Sequence, residues 1–256
     1  MRRKITALLL DLEGTVYQAG RLIENAGEAI AALEARGIRV GYATNTTSRP
    51  RAVVARELAD MGLEVAPSRI FTAPLAARED LVRRGVARCS LLTRDSLRED
   101  FGGIRVDDES PQAVVLGDLG DEMTFARLNR AFRHVIGGAE LVTLARNRYW
   151  RAADGLTLDV GAFAAALEYG SGRTARLAGK PAPEFYAWAL SELGAAPSDA
   201  AMVGDDLESD VAGAQRAGMA GILVRTGKFR AEELASSGVR PDWLLDSVAD
   251  LPAALL

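Results

Sequence analysis

The chain has 256 residues, 48% of them hydrophobic and 26% charged, with a formal net charge of −4. That mixture suits a soluble globular protein, long for one compact domain and short for two, and the lack of a basic face argues against a nucleic-acid binder. Cys89 is the only cysteine, which excludes an intramolecular disulfide and a cysteine zinc site and is compatible with a reducing compartment.

The first residues, Met1-Arg2-Arg3-Lys4 and the apolar run 5–10, imitate a signal peptide. The run is shorter than the usual apolar region of about 7–15 residues, and Asp11 cuts it. No stretch approaches the roughly 20 apolar residues of a membrane span. The expectation is a soluble cytoplasmic protein with no membrane partner. Residues 5–10 read instead as a strand buried on both faces. Residues 25–36 are Ala-rich and helical, with Gly37 as the stop. A strand follows at 38–43, then a helix at 51–61 opened by Pro50 and closed by Gly62. Strand, helix, strand, helix with short connections means βαβ units and a parallel sheet.

The middle is less regular. Residues 90–92, 113–116 and 140–144 look like strands. Phe125, Leu128, Phe132 and Val135 mark an amphipathic helix. Tyr149-Trp150 and residues 156–158 flank the hairpin signal Asp154-Gly155. This part reads as an inserted domain over residues 76–174, leaving 1–75 and 175–256 as the core, with Gly170-Ser171-Gly172 as a flexible hinge at its exit. The regular alternation then returns: a short strand at 176–178, a helix at 183–193, a strand at 200–203, a helix at 209–217, strands at 222–224 and 243–245, and a last helix at 248–255.

Four short places lie where a predicted strand ends, the edge at which parallel α/β sheets bind ligands. Asp11-Leu12-Glu13-Gly14-Thr15 offers a carboxylate and a glycine turn, or simply an aspartate satisfying backbone donors. Thr44-Asn45-Thr46-Thr47 offers donors to phosphate oxygens, or caps for the next helix. Lys180, in Gly179-Lys180-Pro181, is a point charge suited to phosphate. It is not part of a P-loop, because Thr174 stands where that motif needs glycine. Gly204-Asp205-Asp206-Leu207-Glu208-Ser209-Asp210 packs acids that repel one another unless solvated or neutralised by a cation such as Mg²⁺; an acidic first helical turn is the plainer alternative. Each place alone is ambiguous. Together, in the order Asp, Thr, Lys, Asp-Asp, they make a phosphoryl-transfer set in which Asp11 attacks phosphorus while Lys180 and a metal offset charge.

On these motifs the chain resembles the haloacid dehalogenase superfamily of phosphohydrolases, whose pattern runs Asp-x-Asp-Gly-Thr, a strand-end Thr or Ser, a Lys, and Gly-Asp-Asp-x-x-x-Asp. The insertion between Thr44 and Lys180 looks like the class II cap of subclass IIA, the NagD-like and nitrophenylphosphatase-like arrangement. TNTTSRPRA, DGLTLDVGAFAAALEY, GKPAPEFYAWAL, MVGDDLESDVAGAQRAGM and VRTGKFR look most like the branch of phospholysine phosphohistidine inorganic pyrophosphate phosphatases and haloacid dehalogenase-like hydrolase domain-containing protein 2. The resemblance implies an α/β fold, a Rossmann-like doubly wound parallel sheet core with an inserted α/β cap. It also implies a Mg²⁺-dependent phosphatase acting on a small-molecule phosphate, with pyrophosphate or a phosphoamidate as candidates. Asp11 would be nucleophile and metal ligand, the Glu13 carbonyl the second ligand and Asp205 the third, with Asp206 and Asp210 close to the ion. Thr44, Asn45 and Lys180 would bind the phosphoryl group, alongside the Asp11, Leu12 and Glu13 turn. Residues 146–151 would meet the leaving group, and class II caps in relatives bring a homodimer into view.

One position departs from the pattern. Glu13 stands where most of the superfamily has an aspartate that protonates the leaving group and activates water. Its free pKa is near that of aspartate, about 4.3 against 3.9. Its carboxyl lies one C–C bond, about 1.5 Å, farther out, and a misplacement of that size can cost about 10²-fold in rate. Two alternatives therefore stay open: a phosphotransferase or mutase using the same phosphoenzyme, and a slow binding or regulatory module. The single histidine, His134, sits on the amphipathic helix and reads as structural.

Overall fold

The computed structural model describes residues 4–152 and 154–255, so Arg2 and Arg3 of the basic start lie outside the described residues. The chain forms two compact units. One comprises the residues up to Thr44, Arg51–Phe71 and the residues from Lys180 onward; the other comprises Asn45–Pro50 and Thr72–Gly179.

The first unit is built on a six-stranded sheet. Its order across the sheet is Trp243–Leu245, Ala220–Val224, Ala200–Gly204, Ala7–Asp11, Arg39–Thr44 and Ile70–Thr72. From Trp243–Leu245 through Arg39–Thr44 the neighbours pair in parallel. Ala7–Leu10 are fully buried because side chains of a central parallel strand meet helices on both faces. Leu8 and Leu10 join one core with Ile30 and Leu33 of helix Ala26–Ala35 and with Val248 and Leu251 near the C-terminus. On the opposite face Gly41 leaves room for Phe71, Leu193 and Leu9; a Cβ there would lie 2.7 Å from the Phe71 ring. From Ala7–Asp11 the chain steps outward through Arg39–Thr44 to Ile70–Thr72. It later returns on the other side and steps outward again from Ala200–Gly204. The sheet therefore changes direction beside Ala7–Asp11, the topology of a doubly wound fold.

The second unit has its own parallel sheet, ordered Arg176–Leu177, Glu140–Thr143, Ala113–Leu116, Arg88–Leu92 and Arg105–Val106. Helices Phe125–Ile136 and Val160–Ser171 cover one face through Ala131, Val135, Ala164 and Leu167. Helix Ala73–Arg83 covers the other, with Cys89 buried beneath it. The hairpin Tyr149–Ala152 with Gly155–Leu158 stands apart from that sheet.

Two sequence expectations change here. The strand expected at 176–178 belongs to the second sheet, not the core: Arg176 and Leu177 pair with Val142 and Thr143. Gly170-Ser171-Gly172 is not a loose hinge. Gly170 and Ser171 are the last residues of helix Val160–Ser171, and Gly172 closes it in the left-handed conformation with φ 66°.

Candidate active site

Register places the acids. Leu10 pairs with Val203 and Asp11 with Ala43, so Asp11 ends one strand level with Gly204, and Asp205 and Asp206 follow at the end of the adjacent strand. This is the carboxyl edge at the point where the sheet changes direction, the position at which open α/β sheets hold ligands. Gly204 is required there: a Cβ would lie 2.0 Å from Oδ2 of Asp210.

Lys180 is 3% exposed. Its Nζ lies 2.5 Å from Asp11 Oδ1, 2.6 Å from Asp210 Oδ1 and 3.4 Å from the Ala43 carbonyl oxygen. Burial alone would pull this ammonium down; the charges of Asp11 and Asp210 outweigh it and hold Lys180 above its ordinary pKa. Asp210 spends its second oxygen on the Asp206 backbone N–H at 3.2 Å, and burial, partly offset by Lys180, raises its carboxyl. Both Asp210 oxygens are thus committed inside the protein.

Asp205 is different. Its Oδ2 accepts the Lys228 backbone N–H at 2.7 Å, while its buried Oδ1 has no partner among the described residues. Burial first, and the charge of Asp11 second, push its carboxyl up to about 6. Asp11, Asp205 and Asp210 each offer an oxygen within 4.8 Å of the others. Asp206 caps the next helical turn by accepting the Ser209 N–H at 2.9 Å and meets Lys228 Nζ at 3.3 Å. Burial would raise its carboxyl, but the Lys228 charge and the Ser209 N–H outweigh it and lower it. Four carboxyl groups meet only two ammonium groups here, a surplus of acids over bases. An all-oxygen set with that surplus and one unsatisfied buried oxygen fits a hard divalent cation such as Mg²⁺.

The other expected residues are placed as follows. Thr44 ends the strand beside Asp11, one residue beyond its partner Ala43. Asn45 belongs to the second unit, where its Oδ1 packs so closely on Gly179 that a Cβ there would be 2.6 Å away. The Leu12 side chain is in the core at 1% exposure, so only its main chain is left to meet a substrate. Glu13 is exposed, and its Oε1 accepts the Ala19 backbone N–H at 3.2 Å. Ala19 sits at the tip of the hairpin Tyr17–Gln18 and Arg21–Leu22 with φ 50°.

Comparison with known proteins gives this geometry a family. A family model described as "Haloacid dehalogenase-like hydrolase" matches residues 8–104, and one described as "HAD-hyrolase-like" matches residues 177–251. Phospholysine phosphohistidine inorganic pyrophosphate phosphatase of Danio rerio is 36% identical, over 99% of this chain and 95% of that one. Haloacid dehalogenase-like hydrolase domain-containing protein 2 of Bos taurus is 39% identical, over 91% and 88%. The chain is a member of the haloacid dehalogenase-like hydrolase family. Among solved structures, the 4-nitrophenylphosphatase of Thermotoga maritima is similar with a TM-score of 0.92 and 30% identity, covering 99% of this chain and 98% of that one. As a haloacid dehalogenase-like hydrolase whose full-length relatives include named phosphatases, the chain is a phosphohydrolase.

Within this haloacid dehalogenase-like hydrolase, two contacts were not legible in the sequence. Arg146, expected to face a leaving group, is tied down inside the second unit, where Nη2 donates to Glu168 Oε1 at 2.5 Å and to the Ala175 carbonyl at 3.0 Å. Thr226-Gly227-Lys228 follows strand Ala220–Val224 and reaches the acids from that side. The sequence offered it within VRTGKFR, as part of the resemblance, but gave it no role at the site.

Proposed function

We propose that this chain is a Mg²⁺-dependent phosphohydrolase of small phosphate compounds, acting through an aspartyl-phosphate on Asp11, in the cytoplasm. The observation that carries this reading is the buried Lys180 ammonium shared by Asp11 and Asp210, beside the unpartnered Oδ1 of Asp205. Asp11, the Glu13 carbonyl and Asp205 would hold the ion, with Asp206 and Asp210 close to it. When bound, Mg²⁺ neutralises charge on the phosphoryl oxygens. Lys180 orients Asp11 through one carboxylate oxygen and leaves the other as nucleophile. Thr44, Asn45 and the main chain at Leu12 and Glu13 hold the phosphoryl oxygens.

In the first step an Asp11 oxygen bonds to phosphorus, the bond to the leaving oxygen (or nitrogen, in a phosphoamidate) breaks, and that atom takes a proton from the Glu13 carboxyl. In the second, Glu13 takes a proton from water, which attacks phosphorus and frees Asp11 and inorganic phosphate. The unit Thr72–Gly179, with Asn45–Pro50, serves as the cap. The hold of Ala19 on the Glu13 carboxylate favours a slow version of this cycle, since Glu13 must leave that hydrogen bond to reach a leaving group.

A phosphate-release screen over pyrophosphate, phosphohistidine, phospholysine, 4-nitrophenyl phosphate and sugar phosphates, with and without Mg²⁺, tests the reading. The expected result is release from at least one of them that EDTA stops; release indifferent to EDTA would overturn it.

A further inference from the structure

The stretch Thr226-Gly227-Lys228 belongs to none of the roles above, yet it touches both acid-bearing turns. The Lys228 backbone N–H donates to Asp205 Oδ2 at 2.7 Å. Thr226 Oγ1 donates to the Gly14 carbonyl at 2.5 Å. Between them Gly227, with φ 59°, lies against Gly14, with φ 91°. A Cβ on Gly227 would fall 1.9 Å from Asp205 Oδ2 and 2.7 Å from the Gly14 Cα, and a Cβ on Gly14 would fall 2.1 Å from the same carboxylate oxygen. Two left-handed glycines face each other across one carboxylate, an arrangement that leaves no space for any other residue at either position.

We infer that Thr226-Gly227-Lys228 is a positioning clamp for the metal site: by holding Oδ2 of Asp205 and the Gly14 carbonyl, it directs Oδ1 of Asp205 toward Asp11 and fixes the turn after Asp11. The inference rests on the reading of the site as a Mg²⁺ site and goes beyond it in assigning residues that are not ligands. A free carboxylate rotates about its last bond and offers either oxygen. With Oδ2 occupied by a backbone donor, one oxygen is left to coordinate, and it is the buried one without a partner. Partners of this kind, which orient ligands without touching the ion, typically change metal affinity by about 10–100-fold. The Lys228 side chain takes no part in the clamp: it is 66% exposed and its Nζ reaches Asp206, not Asp205.

The test separates the backbone donor from the ammonium. Mg²⁺ affinity of the full chain is measured by calorimetry for the wild type, Thr226→Val, Lys228→Met and Lys228→Pro, with unfolding midpoints recorded in EDTA. Thr226→Val, which removes one hydroxyl at nearly constant shape, is expected to weaken Mg²⁺ binding about tenfold. Its half-saturating Mg²⁺ for phosphate release rises in parallel, while the rate at saturating Mg²⁺ largely recovers. Lys228→Pro removes the N–H and weakens binding at least as much; if it does not fold, Thr226→Val decides. Lys228→Met keeps the N–H and removes a positive charge beside the acids, so it is expected to bind Mg²⁺ no more weakly than the wild type.

An unchanged affinity in Thr226→Val, or a larger loss in Lys228→Met than in Thr226→Val, overturns the clamp. A lower midpoint in EDTA with unchanged Mg²⁺ affinity also overturns it and marks the loop as merely structural. A wild type that binds Mg²⁺ but releases no phosphate overturns the phosphatase mechanism alone. A wild type that binds no Mg²⁺ overturns both.

Discussion

At the scale of single residues, the proposed proton transfer rests on Glu13. Its side chain is one C–C bond longer than the aspartate usual at this position, and the hairpin tip uses that length: Oε1 accepts the N–H of Ala19, a non-glycine residue at φ 50°. Aspartate would be about 1.5 Å too short to make this bond and would stay nearer the turn where the proposed cycle protonates the leaving group. Glu13→Asp is therefore expected to raise kcat, by up to about 10²-fold. Steady-state rates on a substrate with a poor leaving group check this. A kcat that falls or stays level would mean that the glutamate is already placed for proton transfer. Nothing in the sequence showed the Ala19 contact, because it depends on a left-handed alanine in a two-residue turn that composition does not mark.

At the scale of elements, the sequence was most readable where burial is complete. The apolar runs of Ala7–Asp11, Arg39–Thr44, Ala113–Leu116 and Ala200–Gly204 stand out because parallel strands covered on both faces need continuous hydrophobicity. Their carboxyl ends therefore named Asp11, Thr44 and Asp205 in advance. Two short edge strands were missed. Ile70–Thr72 and Arg105–Val106 have three and two residues, too few for any period to show. Helix Ala73–Arg83 was also missed, although Thr72 caps it and Pro74 opens it. Arg176–Leu177 looked like a core strand because it leads to Lys180, but sheet membership depends on which neighbour offers free backbone, and here that is Glu140–Thr143. Arg146 belongs to residues 146–151, which the resemblance alone offers to a leaving group; its guanidinium ties helix Val160–Ser171 to the Ala175 carbonyl. Arg146→Ala is accordingly expected to lower stability by about 1–2 kcal/mol, the worth of a charge-assisted hydrogen bond at a partly exposed site. Urea unfolding measures this. A stable variant with a raised KM would return Arg146 to the substrate.

At the scale of the whole molecule, the charge at the sheet edge links folding, metal and pH. The Asp205 carboxyl is held up to about 6, mainly by burial and then by Asp11. A carboxyl with a higher pKa folded than unfolded binds more protons in the folded chain. Its contribution is present below the unfolded value, about 3.9, and is lost as pH rises through about 6. In the proposed site Mg²⁺ would take the deprotonated carboxylate, so the rise in Tm on adding excess Mg²⁺ is expected to be larger near pH 7.5 than near pH 5. Thermal melts at the two values test this, and an equal or smaller rise near pH 7.5 would contradict it. The central claim is that Asp11 carries the phosphoryl group while Lys180 and the acids at the adjacent strand end hold it in place. The most direct test is Mg²⁺-dependent phosphate release by Asp11→Asn beside the wild type, on the best substrate found and with folding verified. The expected result is a loss of about 10³-fold or more; release at the wild-type rate would contradict the account.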